Sequence, residues 1–267
     1  MNDAFAMILG ARGSVPVSAP EFAAYGGATT CVLVRLAGQY IILDAGTGIL
    51  RLPAEALEQE RLSLLLTHVH LDHLNGLSMC PYVMKAGHTM DIYASPGDGS
   101  EIGDVLRALY APPVWPVRPD DLSAHLRYHP LPEEFTLGGV TVSTLEGNHP
   151  GGVKLLRLSG GGKTVVFATD CTLTDEFYPV ATSFAYGCDL LLVDGQYSAE
   201  EWAIRARFGH NTWLRAARFG ADCGARAVRI VHHDPTHSDA VLDRGETEAQ
   251  SICSVCSFAR EGEEIAL

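Results

Sequence analysis

Apolar positions run along this chain in short blocks broken by glycine, proline and acids. Blocks rich in Val, Ile and Leu at 4–9, 30–36, 40–43, 62–66 and 90–94 read as strands, with a turn at Gly38 between the second and third. Strands return from Phe135 onward, at 141–145, 154–158, 163–169, 189–193 and 227–231. Gly160-Gly161-Gly162 lies between two of these and reads as a hairpin turn, not a phosphate loop. Helical spacing falls at 47–59 with an irregularity at Pro53, and at 75–84, 101–110, 213–222 and 239–258. The helix at 213 takes Asn211 or Thr212 as its N-cap. Segments 15–28 and 111–116 are loops; the aromatic and proline residues of the second suit a substrate wall and plain surface packing equally. Strands alternate with helices in both halves, with no linker between. The expected fold class is therefore α/β: one domain over 1–267 made of two similar halves, two layered sheets with helices outside.

Composition narrows the partners. At 47% hydrophobic and 19% charged residues, the 267-residue chain has material for a sizeable core. Its net charge of −13 disfavours long nucleic acid, because phosphate contacts need clustered Lys and Arg. Met1 to Phe5 carries no basic leader, and no apolar run is long enough to span a bilayer, so no membrane partner is expected. Seven Cys at irregular spacings imply free thiols and a cytoplasmic location. Cys253 and Cys256 form a lone CxxC, which on a helix means only a shared face.

The chemistry concentrates at 67–76, Thr67-His68-Val69-His70-Leu71-Asp72-His73-Leu74-Asn75-Gly76, directly after an apolar strand. Residues two apart on an extended segment point the same way, so His68 and His70 can converge on one point. Asp72 and His73 diverge and suit a second point beside it. Imidazoles with a carboxylate fit zinc, manganese or iron. Three further strands end in a candidate ligand: His149 after 141–145, Asp170 after 163–169 and His232 after 227–231. His232 is followed by His233 and Asp234, and the last ligand is assigned to the first of these after the strand. Asp44-Ala45-Gly46 ends another strand, where an acid caps a helix or supports a site. Arg12, among glycines, faces a bound phosphate or simply the surface.

In this order the segments resemble the metallo-β-lactamase superfamily of binuclear hydrolases, over nearly the whole chain. The resemblance implies a four-layer αβ/βα sandwich of two mixed sheets flanked by helices, with the site at one edge between the sheets. It places His68, His70 and His149 on one metal, Asp72, His73 and His232 on a second, Asp170 between them, and Asp44 behind the histidine loop. Gly209-His210-Asn211-Thr212 is similar to the Gly-His-Ser-Thr segment of ribonuclease Z-like phosphodiesterases, with Asn in place of Ser. In that branch the histidine donates a proton to the leaving group and pairs with an upstream acid, here Asp194.

The expected activity is a phosphodiesterase with two divalent metals, zinc or else manganese or iron, acting through a hydroxide shared between them. Asp72, His210 and Asp194 would carry the proton transfers. Between Asp170 and Asp194 stand 23 residues without Lys or Arg, which leaves no place for the basic arm of ribonuclease Z proper. The expected substrate is a small phosphodiester, a cyclic nucleotide or cyclic sugar phosphate; a homodimer is allowed. The competing readings are a thioester, lactone or β-lactam hydrolase on the same scaffold, a ribonuclease Z-type endonuclease, and a non-catalytic metal-binding sensor.

Overall fold

A computed structural model describes residues 4–267; residues 1–3, part of the N-terminal stretch read as lacking a leader, lie outside the described residues. The strands are β1 (Phe5–Gly10), β2 (Cys31–Leu36), β3 (Gln39–Leu43), β4 (Arg61–Leu65), β5 (Thr89–Tyr93), β6 (His125–His129), β7 (Glu134–Leu137), β8 (Val140–Gly147), β9 (Val153–Gly160), β10 (Lys163–Ala168), β11 (Leu190–Asp194), β12 (Ala227–Val231), β13 (Cys256–Phe258) and β14 (Glu264–Ala266). They form two sheets in the orders β14-β1-β2-β3-β4-β5-β6 and β13-β12-β11-β10-β9-β8-β7. In the first sheet β14 to β3 pair antiparallel and β3 to β6 parallel. The second repeats this: β7 to β10 antiparallel, β10 to β13 parallel.

Alternation of side chains decides the layers. Ile41, Leu43 and Leu65 of the first sheet meet Val165, Phe167, Leu190 and Leu192 of the second in a shared core. The opposite faces, Ile42, Leu62 and Leu64 on one side and Val166, Leu191 and Val193 on the other, are each covered by helices and turns. β11 is buried at every position, which explains why it reads as an unbroken apolar run. The helices are α1 (Ala54–Leu57), α2 (Ile102–Leu109), α3 (Tyr178–Ala185), α4 (Ala199–Arg205), α5 (Trp213–Asp222) and α6 (Asp239–Ile252). The expected two-sheet sandwich is the observed fold. No described helix is long and apolar enough to cross a membrane.

Four expectations change. Residues 47–59 are not one helix: Thr47–Arg51 is a 3-10 turn, and only Ala54–Leu57, beyond Pro53, is α-helical. Residues 75–84 are not a helix but two short 3-10 turns, Leu77–Met79 and Pro81–Met84; Pro81 lacks an amide donor and holds Cys80 extended (φ −57°, ψ 127°). The last helix stops at Ile252, and Cys256–Phe258 instead pairs with β12, so Cys253 and Cys256 share no helix face. Arg12 neither faces the cluster nor the surface. It is fully buried, donating to the carbonyls of Gly26, Asp234 and His237 and tying the first loop to the end of the second sheet. In the 111–116 loop, Trp115 packs edge-on against Tyr110 (5.8 Å) on the outer layer of the first sheet, while Val114 is exposed. The sequence showed neither α3 nor α4, nor the short strands β6, β13 and β14.

Because Leu192 sits in the shared core of both sheets, Leu192→Ala should cost about 2–5 kcal/mol in urea unfolding. A loss below about 1 kcal/mol would show that the two sheets are not held by this layer.

Candidate metal centre

The candidate residues leave the sheets at one edge. Asp44 follows β3, the histidine segment follows β4, His149 follows β8, Asp170 follows β10, Asp194 ends β11 and His232 follows β12. These strands share a direction within each sheet, so their C-terminal ends converge, which is where α/β folds bind ligands. After the extended His70, residues Leu71–His73 make a 3-10 turn that folds His73 back beside His68, with ring centroids 4.2 Å apart.

The structure brings all nine expected residues together. His68, His70 and His149 form one group, and Asp72, His73, Asp170 and His232 a second; within each, one donor atom per residue lies within 4.8 Å of the others. A third grouping, Asp194 and His210 with Asp170 and His232, overlaps the second. In the second group His73 Nε2 is 3.3 Å from Asp72 Oδ2 and 3.4 Å from Asp170 Oδ1. His232 Nε2 is 3.2 Å from Asp72 Oδ2 and 3.1 Å from Asp170 Oδ2. Two tetrahedral ligands at about 2.1 Å from a zinc ion stand roughly 3.4 Å apart, so the spacing suits a cation among these atoms. Asp170 Oδ2 also lies 3.8 Å from His68 Nε2 and 3.9 Å from His149 Nε2, within reach of both groups. His68 Nε2 and His73 Nε2 are buried with no hydrogen-bond partner, as lone pairs kept for a metal would be.

The far ring nitrogens are occupied. His73 Nδ1 is 2.8 Å from Asp44 Oδ2, and His149 Nδ1 donates to the Gly209 carbonyl at 3.1 Å. His68 Nδ1 meets the Thr67 hydroxyl at 3.0 Å, which in turn donates to Asp44. Such partners set the tautomer and aim Nε2 inward. Asp44 also takes the Thr67 backbone N–H, so it orients the whole histidine turn.

Electrostatics point the same way. Burial drives His68 well below the ordinary imidazole range and lowers His70 and His149, leaving them neutral and able to coordinate. Burial opposes charge on His73 and His232 too, but the surrounding carboxylates, Asp170 foremost, outweigh it. His73 rises well above its usual range and His232 is pushed up to about 10. The second group therefore demands positive charge, whether from protons or from a cation. The first group opens to solvent at His70, and the second is buried.

His232, not His233, stands in the cluster. His233 turns away, stacks on Phe258 at 5.4 Å and reaches the Ala259 carbonyl through Nε2. His210 Nδ1 lies 2.6 Å from Asp194 Oδ2, and its ring stacks on His232 at 4.7 Å. Asp194 is pinned by the backbone N–H groups of Asp170, Gln196 and Asn211. Thr212 is the N-cap of α5, so Asn211 has another task. Its side chain accepts from Leu173 N and donates to Cys171 O, stitching two strand-end loops together.

Several supporting positions were not legible beforehand. The Ser14 backbone N–H donates to Asp72 Oδ2 at 2.7 Å. Gly13 and Gly209 pass so close to ligand rings that a Cβ would lie 2.2 Å from His232 and 2.2 Å from His149 respectively. Gly13, beside Arg12, thus brings the backbone against a histidine ring.

A sequence profile described as "Beta-lactamase superfamily domain" matches residues 39–233. The chain belongs to the metallo-β-lactamase superfamily. Within it, the probable metallo-hydrolase YhfI of Bacillus subtilis is 25% identical over 192 residues, 67% of this chain and 70% of that protein. The ribonuclease Z of Bradyrhizobium sp. is 27% identical over 231 residues, 68% and 75% of the two chains. The crystal structure of YhfI superposes with a TM-score of 0.73 at 22% identity, over 98% of each chain. A diphosphatase of the PhnP family superposes with 0.71 at 14%, over 99% of this chain and 98% of that one. Superfamily membership makes this chain a metal-dependent hydrolase with His and Asp clusters suited to metal.

Gly13→Ala should displace His232 and weaken metal binding at the buried group by roughly 10- to 100-fold, read by competition with a chromogenic chelator, while the circular dichroism spectrum stays unchanged. Wild-type affinity in this variant would mean that the His232 ring has room to retreat.

Proposed function

We propose that the chain is a binuclear metallo-phosphodiesterase acting on small phosphodiesters, with zinc, or else manganese or iron, as its metal. His68, His70 and His149 would hold one ion, Asp72, His73 and His232 the other, and Asp170 would touch both. When bound, such a pair supplies a Lewis acid that lowers the pKa of water and stabilises charge on a phosphoryl oxygen. Asp72, held by the Ser14 N–H, orients the attacking water and takes its proton. His210 protonates the departing oxygen, and Asp194 keeps its Nδ1 hydrogen-bonded so that Nε2 is the donating atom.

The observation that carries this reading is the His210–Asp194 pair stacked against the buried metal group. An alkoxide leaving group needs an acid in the transition state; a thiolate or other good leaving group needs it far less. The pair therefore favours phosphodiesters over thioesters. Seven unpaired, buried thiols support a cytoplasmic site of action.

Similarity to ribonuclease Z favours a second reading, endonucleolytic cleavage of RNA. Against it, residues 171–193 carry no Lys or Arg and contain α3 and most of β11, with Tyr178 of α3 packed on Phe219 of α5. Cleavage of precursor transfer RNA at physiological salt would decide for the second reading.

His210→Ala should keep its metal content yet lose about 10²-fold or more in kcat on a 2′,3′-cyclic nucleotide, with a smaller loss on bis(p-nitrophenyl) phosphate, whose leaving group needs little protonation. Metal loss, or equal losses on both substrates, would remove the general-acid role.

A further inference from the structure

The buried group is assembled from both sheets. Asp72 and His73 follow β4 of the first, and Asp170 and His232 follow β10 and β12 of the second. Its geometry therefore depends on what fixes the edge of one sheet against the other. The Arg12–Gly13–Ser14 loop, just past β1, meets a ligand from each. The Ser14 N–H donates to Asp72 Oδ2, the oxygen that lies 3.3 Å from His73 Nε2 and 3.2 Å from His232 Nε2. Gly13 backs His232 so closely that a Cβ would stand 2.2 Å from its Nδ1. Ser14 has φ at 65°, a conformation that non-glycine residues rarely adopt, so the direction of its N–H is imposed by what surrounds it.

We infer that Arg12 is a positioning residue for the buried metal group, a fastening between the two sheets that sets how its ligands face one another. The inference rests on the two-metal part of the proposed function and is independent of which ester is cleaved. The guanidinium is fully buried, and all three of its acceptors are main-chain carbonyls. Nε donates at 2.8 Å to Gly26, which leads into β2 of the first sheet. Nη1 donates at 3.1 Å to Asp234 and at 2.8 Å to His237, both beyond β12 of the second. The Phe22 ring lies 5.1 Å from the guanidinium carbon. Backbone bonds continue the fastening, from Gly13 N to His233 O at 3.0 Å and from His233 N to Ala11 O at 2.9 Å. A guanidinium spreads its donors over a rigid plane and can hold carbonyls of separate segments at once, whereas a lysine ammonium offers its donors from one point. Replacing Arg12 leaves buried carbonyls unpaired and frees the loop to shift. His68 and His149 are aimed from elsewhere, by Thr67 and Gly209, so the open group serves as an internal control.

The test places Arg12→Lys in two backgrounds of the full chain and reads zinc affinity by competition with a chromogenic chelator. In His149→Ala, which leaves the buried group complete, Arg12→Lys should weaken zinc binding by roughly 10- to 100-fold, as loss of a group supporting metal ligands does. In His73→Ala, which leaves the open group complete, Arg12→Lys should leave the affinity unchanged. Equal weakening in both backgrounds would make Arg12 a general support of the fold, and no weakening in either would mean that the loop keeps its place without it; both results overturn the inference. A second measurement keeps Arg12 in place and covers the case in which Arg12→Lys does not fold. Coupling between two sites is reciprocal, so zinc should slow solvent exchange of the Arg12 Nε–H, followed by nitrogen-15 NMR, in His149→Ala but not in His73→Ala. An exchange rate that zinc leaves unchanged in both variants overturns the inference. Absence of zinc binding by the wild-type chain would remove the two-metal reading and this inference together, whereas wild-type binding with any of the overturning results removes the inference alone.

Discussion

Four carboxylates, Asp44, Asp72, Asp170 and Asp194, are buried at one edge of two sheets, and the architecture around them follows from balancing that charge. Isolated buried carboxylates cost many kcal/mol unless paired or hydrogen-bonded. Here the described counter-groups are imidazoles, backbone amides and the hydroxyls of Thr67 and Thr169: His73 lies against Asp44, Asp72 and Asp170, His232 against Asp72 and Asp170, and His210 against Asp194. Neutral imidazoles cannot supply the balance, which is why His73 and His232 are pushed to hold protons. Divalent cations answer the same demand with more charge and leave the imidazoles neutral as ligands.

The two sheets share one pattern, and it explains how distant segments reach one place. In each, three antiparallel pairings lead to three parallel ones, so β3 corresponds to β10 and β4 to β11. Asp44 and Asp170 therefore occupy matching positions, each just past the strand where pairing changes sense, and each turns its chain with φ positive (59° and 51°). His232, after β12, does the same at 61°. Non-glycine residues in this conformation carry strain of order 1–3 kcal/mol, tolerated where the surrounding structure over-determines them. Pairing of adjacent strands on both sides over-determines these three.

Much of this was legible because it depends on local rules. Strand ends show as apolar runs stopped by His or Asp, and the spacing of His68, His70, Asp72 and His73 encodes a turn that the structure contains. The same logic chose His232 over His233, and it is His232 that stands in the cluster, since the first residue past a strand shares the edge of its neighbours. What escaped notice depends on tertiary context. Short β13 and β14 exist because open edges of β12 and β1 accept them, and their few residues show no period of their own. The stretch 75–84 has helical apolar spacing, but Pro81 overrides it. Arg12 reads as facing a phosphate or the surface; three carbonyls from remote segments offset the cost of its burial, and no local pattern encodes them.

The division of labour between the groups follows from exposure. The His68–His70–His149 group opens outward at His70, whereas the residues of the Asp72–His73–Asp170–His232 group are all buried. A ligand entering from solvent meets the open group first, and His149 is held there by the carbonyl of Gly209, the residue that precedes His210. Gly209 has φ 93° and no space for a side chain, so His149 and His210 cannot move independently. His210 is in turn fixed through Asp194 to the backbone of Asp170. One short path of hydrogen bonds thus joins the open group, the closed group and the His210–Asp194 pair. A change in the backbone at 209 would disturb all three together, which makes this junction, far in sequence from the histidine turn, as much a part of the site as the turn itself.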